Sequence, residues 1–254
     1  MRIPDSSWLK TTPIAHRGLW GNGIPENSSL AYEAAAKVGS PIEIDLYFTK
    51  DFKLVSFHDQ TLKRMTGQEG KIWEYDLATL KTFRLSGSDQ TIPTFDEVLE
   101  IAEGRSPLLI EIKNQPLPGI TEAIVERLKS YKGEFAVQSF NPLYIKKVKE
   151  LAPEFIRGIL ATNDKKDLEG NKFYERFIIK HMALNFLIKP DFVSYYYKAY
   201  PLKKSKTKNK VKLCWTVTSK EDYIKVKPFV DNVIYEGFDI KEYVTIPPLL
   251  WLSR

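Results

Sequence analysis

Eight short apolar runs rich in β-branched residues recur along the 254-residue chain. They are Thr12–Ala15, Ile42–Phe48, Leu108–Ile112, Phe135–Ser139, Ile156–Leu160, Phe192–Tyr195, Lys212–Val217 and Asn232–Tyr235. Between most of them apolar residues fall three or four apart, as in Leu30-Ala31-Ala34-Ala35-Val38, Ile120-Ala123-Ile124-Leu128 and Leu143-Ile145-Val148-Leu151. Short continuous apolar runs read as buried strands, and the three-to-four spacing as helices with one apolar face. Strands that alternate with helices pair in parallel, and eight such units close into a barrel of about 250 residues. The expected fold class is therefore α/β, a (β/α)8 TIM barrel. A doubly wound open sheet would show Gly-x-Gly-x-x-Gly after its first strand, and no such sequence follows Ala15.

The rhythm is interrupted once. Between Phe48 and Leu108 lie Leu54–Phe57, the turn-rich stretch Met65–Lys71 and a helical pattern over Thr94–Glu103. Simple strand-to-helix connections take about 2–6 residues, so this stretch reads as a small insertion after strand two, at about 59–93, within one domain spanning 1–254. Asn27 is placed to cap a helix over Ser28–Val38, and Asn141 followed by Pro142 fits the start of another.

Hydrophobic residues make up 43% of the chain and charged residues 28%, an ordinary balance that excludes a disordered or fibrous chain. The net charge is +6, which points to an anionic partner. The excess is local, because removing the six lysines of Lys203–Lys212 brings the balance to zero. A run of this kind is most simply a solvated loop or helix face. The single cysteine, Cys214, excludes an intramolecular disulfide and reads as a small buried hydrophobe. No apolar run reaches the 18 or so residues that span a bilayer, and the N-terminal stretch lacks the core of a signal peptide. A cytoplasmic location is expected.

Barrel catalysis gathers at the C-terminal ends of the strands. Strand one ends at His16-Arg17-Gly18, and strand two carries Glu43 and Asp45 two residues apart, on one side of the strand. Strand three carries Glu111 and Lys113, again two apart, and Leu54–Phe57 leads into His58-Asp59. Three carboxylates crowded at one rim raise one another's pKa unless a cation joins them, and all-oxygen ligation selects a hard ion, Mg or Ca. The competing arrangement is an internal salt-bridge network with Arg17 and Lys113. His16 and His58 beside such a cluster can accept and donate protons near neutral pH. Arg17 and Lys113 add the fixed positive charge that a phosphoryl transition state needs. His181, in the helical pattern FIIKHMALNF, is expected on a packing or surface position.

These residues resemble the glycerophosphodiester phosphodiesterase family. The resemblance runs through His16-Arg17-Gly18, Pro25-Glu26-Asn27-Ser28, Glu43-Ile44-Asp45, Leu54 to Asp59, Thr61 to Gly67 and Gly70. It continues through Ile92-Pro93-Thr94, Glu111-Ile112-Lys113, Gln138-Ser139-Phe140 and Trp215-Thr216-Val217. Each motif is weak alone, and the ordered set is specific. The resemblance implies a (β/α)8 barrel with an inserted segment after strand two. It implies one divalent cation on Glu43, Asp45 and Glu111, with His16 and His58 as general acid and base. Arg17 and Lys113 would contact phosphate, Glu26 would help ligate the metal or orient Arg17, and Trp215 would wall a glycerol pocket. The implied reaction is hydrolysis of a small glycerophosphodiester to sn-glycerol 3-phosphate and an alcohol.

The sequence departs from the family pattern in three places. Ser28, where Thr is usual, keeps the hydroxyl and changes little. Tyr235-Glu236-Gly237-Phe238-Asp239 after strand eight and the lysine run bear on substrate choice rather than on the carboxylates. Two other readings stand beside this one. A lysophospholipase D or sphingomyelinase D-like phosphodiesterase would share the histidine and carboxylate layout. A non-catalytic binder of nucleic acid or another polyanion would use the lysines, which attract phosphates without reading sequence. That run has no interleaved aromatics for base stacking, so no nucleic-acid partner is expected. Oligomeric state is not encoded in any pattern of the chain.

Overall fold

The structure, a computed structural model, describes residues 2–240; the end of the expected domain beyond Ile240 lies outside them. Strands and helices alternate along the chain, and the residues group into two compact units, Ala15–Phe135 and a second made of the chain before Ala15 and from Ala136 onward. The architecture is α/β, the (β/α)8 TIM barrel with a small insertion after its second strand.

In the first unit, β1 (Ile14–His16) pairs in parallel with β2 (Ile42–Phe48), which pairs in parallel with β4 (Leu108–Ile112). β3 (Leu54–Ser56) runs antiparallel to the end of β2. Every residue of β2 and β4 is buried, as expected of parallel strands covered on both faces. The strand expected over Thr12–Ala15 starts two residues later and includes His16. The shift has a local cause. Thr12 caps a short helix, Trp8–Thr11, through its backbone N–H, and Pro13 has no N–H to give to a ladder.

The helix expected over Ser28–Val38 is Ser29–Lys37, and Ser28 rather than Asn27 caps it, its hydroxyl accepting from Ala31 N at 3.2 Å. Asn27 is drawn away by a stronger demand, a hydrogen bond to a buried carboxylate described below. The helix Phe95–Ala102 opens with reciprocal bonds between Thr94 and Glu97, which satisfy two otherwise unpaired N–H groups. The inserted segment builds its own small core, in which Leu62, Met65, Ile72 and Leu80 pack on Val55 and Phe57.

In the second unit, β5 (Phe135–Ser139), β6 (Arg157–Ala161), β7 (Phe192–Tyr196), β8 (Val211–Val217) and β9 (Asn232–Tyr235) pair in sequence, all parallel. Helices Pro142–Leu151, Phe173–His181 and Lys220–Val226 lie between them in the chain, the first capped by Asn141 as expected. Gly158 on β6 is required by packing: a Cβ there would sit 2.1 Å from the Phe192 ring. Cys214 is buried, and burial pushes its thiol pKa up, as its apolar strand context implies. His181 is exposed and packs against the Phe177 ring. Among the described residues no helix is long and apolar enough to cross a membrane.

Candidate active site

The residues singled out by type converge in the unit Ala15–Phe135 because of strand register. His16 on β1 stands beside Glu43 on β2, and Asp45 on β2 stands beside Glu111 on β4. Neighbouring strands are about 4.8 Å apart, so matched residues share one edge of the sheet. Oxygens of Glu43, Asp45 and Glu111 lie within 4.8 Å of one another, and all three residues are buried. Phe57 N donates to Asp45 O at 3.0 Å, which holds the end of β3 against β2 and delivers the next residue, His58, to the same place. The His16 and His58 ring centroids are 6.5 Å apart.

The turn after β1 is tightly built. Gly18 has φ +84°, and a Cβ on it would lie 2.8 Å from the Ala31 carbonyl, so the turn and the helix Ser29–Lys37 touch only because this residue is glycine. Arg17 itself takes φ +60°, a left-handed conformation costly for a side chain of its size. Its N–H donates to Glu43 Oε2 at 3.1 Å, and its C=O accepts from Asn27 N at 3.0 Å. The fixed backbone aims its guanidinium at Glu26, 2.7 Å away, with Asp45 at 3.8 Å.

Charge in the cluster is unevenly shared. Lys113 Nζ lies 3.0 Å from Glu111 and 3.3 Å from Asp45. Burial raises the pKa of Glu43 well above the usual range, with Asp45 and Glu111 adding to it. Glu111 is pushed up to about 7 by burial, which outweighs the opposing pull of Lys113. Asp45 goes the other way: burial would raise it, but Lys113, His58, Arg17 and His16 together hold it well below the usual range. Burial would lower Lys113, but Glu111 and Asp45 hold its ammonium protonated. Burial and Lys113 bring His58 down to about 4.

Whether such a cluster suits a cation can be judged from its oxygens. Asp45 Oδ1 is buried and receives no hydrogen bond, only the ion pair with Lys113 at 3.3 Å, and two of the three carboxyls stay raised despite Arg17 and Lys113. The salt-bridge network is real but leaves the cluster short of positive charge. The three carboxylates form a group that could hold a metal ion.

The profile of the glycerophosphoryl diester phosphodiesterase family matches residues 16–239, from the first histidine to the loop after β9. The chain belongs to this family. It is thus a phosphoric diester hydrolase by descent. A glycerophosphodiester phosphodiesterase of Caldanaerobacter subterraneus subsp. tengcongensis is 34% identical over 246 residues, covering 89% of this chain and 94% of the relative. Among solved structures, a phosphodiesterase of Oleispira antarctica in complex with the product sn-glycerol-3-phosphate superposes with a TM-score of 0.72. It is 26% identical, covering 88% of this chain and 92% of the other. A glycerophosphodiester phosphodiesterase of Parabacteroides distasonis shares the fold, with a TM-score of 0.72 at 24% identity, covering 92% of this chain and 94% of the other.

In this phosphodiesterase His16, Arg17, Glu43, Asp45, His58, Glu111 and Lys113 all meet in one unit. Glu26 joins them through Arg17 rather than by pointing at the carboxylates. Trp215 lies in the second unit, half-buried on β8, edge-on to Phe140 and donating to Ser194 O.

Several residues support the site in ways that residue type alone does not signal. Asp59 Oδ1 is 2.7 Å from His58 Nδ1, and Arg64 grips both Asp59, at 2.6 Å, and Glu26, at 2.5 Å. Behind Asp45, Asn27 donates its amide at 3.0 Å, while Tyr32 donates to Asn27 Oδ1 at 2.6 Å and contacts Ser56 Oγ. Burial keeps the Tyr32 hydroxyl protonated, so it donates to the amide oxygen and turns the NH2 toward Asp45. Asn27, Asp59 and Arg64 stand within the family motifs, but no spacing rule tells that they buttress the reacting groups.

Proposed function

We propose that this chain hydrolyses glycerophosphodiesters to sn-glycerol 3-phosphate and an alcohol, as one catalytic domain with 59–93 as an inserted segment. The observation that carries this reading is the cluster Glu43, Asp45 and Glu111, with two imidazoles and the cations Arg17 and Lys113 at its edge. The product named for the Oleispira antarctica structure supports the choice of substrate class.

Glu43, Asp45 and Glu111 would hold one divalent cation, Mg or Ca, whose chemistry is to draw charge from the non-bridging phosphate oxygens. Arg17 and Lys113 meet the same oxygens as a planar fork and a point charge. One of His16 and His58 takes the proton from the free glycerol hydroxyl beside the phosphate. That oxygen forms a bond to phosphorus, and the other imidazole protonates the departing alcohol oxygen as its bond to phosphorus breaks. Water then opens the cyclic phosphate with the two roles exchanged. Asp59, ionised beside Arg64, accepts from Nδ1 of His58 and leaves Nε2 as the ring's proton acceptor. The proposed setting is cytoplasmic.

The deciding experiment measures glycerol 3-phosphate released from a panel of glycerophosphodiesters, with and without EDTA. Release that EDTA abolishes and Mg or Ca restores is the expected result. Cleavage of lysophosphatidylcholine in preference to glycerophosphocholine would move the assignment to the lysophospholipase D reading.

A further inference from the structure

The stretch from Lys172 to Lys210 carries ten Lys and Arg residues against two acids, Glu175 and Asp191. The proposed reaction leaves it unused. Within it the helix Phe173–His181 is two-faced. Ile178 and Ile179, with Met182 just past its end, turn inward and line an apolar pocket with Phe140 and Ile159. The opposite face holds Phe173 and Phe177 one turn apart, with Arg176 and Lys180 between and beyond them. Phe173 is 87% exposed, and Phe186 in the next short helix is 76% exposed. Large rings held in water beside cations are an arrangement that a solvated surface does not need.

The lysine run is tied to this helix. Lys206 Nζ and the Tyr195 hydroxyl both donate to the Lys180 carbonyl, at 3.3 and 2.8 Å. Lys203, Lys204 and Lys208 are exposed around it. The cations crowd one another: burial, then Lys203 and Lys180, lower Lys206, and burial, then Lys206 and Lys180, lower His181.

We propose that this face docks on an anionic phospholipid bilayer. Phe173, Phe177 and Phe186 enter the headgroup boundary while Arg176, Lys180 and the lysines of the run stay at the phosphates. Charge complementarity selects the partner: cations over apolar rings on one helix are what an interfacial helix presents to an anionic leaflet. A nucleic acid would want aromatics among the cations for base stacking. Most of the cations here lie on Lys203–Lys210, which holds no aromatic residue.

The test is co-sedimentation of the full chain with vesicles of phosphatidylcholine alone, or with about a third phosphatidylglycerol. Pelleting only with the anionic vesicles, and release as salt rises from about 0.1 to about 0.5 M, is expected. Replacing Lys203, Lys204 and Lys206 with Gln should weaken binding about fivefold per lysine, and F173S/F177S should weaken it about tenfold or more. No pelleting, equal pelleting with neutral vesicles, or unchanged binding by either variant overturns the proposal. If the lysine variant fails while F173S/F177S binds normally, the surface is a plain polyanion site and lipid docking is wrong. Both variants should hydrolyse a soluble glycerophosphodiester at the wild-type rate. A wild-type chain inert on that substrate would count against the proposed reaction and leave the vesicle result to decide this proposal alone.

Discussion

Asp59 Oδ1 lies 2.7 Å from Nδ1 of His58, and Arg64 closes on the same carboxylate. The contact makes Nδ1 the protonated nitrogen and fixes the ring about Cβ, a role that supporting carboxylates play toward reactive imidazoles. Asp59→Asn, whose amide can donate where the carboxylate only accepts, should lower kcat by about 10²-fold with a smaller change in KM. NMR of the imidazole nitrogens should show the tautomer shift. An unchanged kcat would remove Asp59 from the proposed mechanism.

Replacing His16 or His58 with alanine should each cost about 10²–10⁴ in rate if both transfer protons. Steady-state kinetics on glycerophosphocholine would show it. Near wild-type turnover in both variants would sink the acid and base assignment.

Cation binding should be proton-linked. Glu111 is raised to about 7 and Glu43 is raised as well, both chiefly by burial. A carboxyl whose folded pKa exceeds its unfolded value near 4.3 holds more protons in the folded state, so stability of the cation-free chain falls as pH rises from about 4.3 through about 7. A divalent ion must displace those protons. At one fixed concentration, a hundredfold above its Kd at pH 8, the ion should raise Tm by about 5–10 °C near pH 8, and by less near pH 5.5, where protons raise the apparent Kd. Thermal melts with Mg or Ca at the two pH values check this, and an equal shift at both would argue against the three-carboxylate site.

The Arg64 contacts make the opposite prediction at acid pH. Burial would raise Asp59 and Glu26, but His58 and Arg64 lower the first, and Arg64 and Arg17 the second. Folded pKa values below the unfolded ones stabilise the fold above about pH 4, and that stabilisation is lost as pH falls through the lowered values. Arg64 is about half exposed, so Arg64→Ala should cost only about 1 kcal/mol at neutral pH. Its melts should converge on wild type as pH falls below about 4; a gap that persisted there would mean the loss is not electrostatic.

Gly18→Ala would place a Cβ 2.8 Å from the Ala31 carbonyl at φ +84°. Backbone must move, at a cost of about 1–3 kcal/mol, and the movement displaces His16 and Arg17. Denaturant unfolding and kcat should both fall, whereas Gly21→Ala, with nothing near its Cβ, should affect stability alone.

The chain wrote its layout plainly in some places and not in others. The apolar runs Ile42–Phe48 and Leu108–Ile112 are strands with those same ends, because parallel strands covered on both faces are apolar at every position except those of the site carboxylates Glu43, Asp45 and Glu111. Asn141-Pro142 starts a helix as written. Asn27 carries the signal of a cap and does not serve as one, since capping is a local preference and the Asp45 contact is made across the fold. Asp59 and Arg64 are visible as residues but not as supports, because Arg64 is anchored by Glu26, 38 residues away in the chain.

By itself, then, the sequence determined the alternation of strand and helix, the family, and the residue types able to move protons and gather a cation. Tertiary structure alone decided which of them touch. In strands buried on both faces no inside-outside alternation reports register, so the pairings His16 with Glu43 and Asp45 with Glu111 are set by packing of the whole sheet. That register brings three carboxylates together, and their shared burial, not their spacing in the chain, raises Glu43 and Glu111 while Lys113 holds Asp45 down.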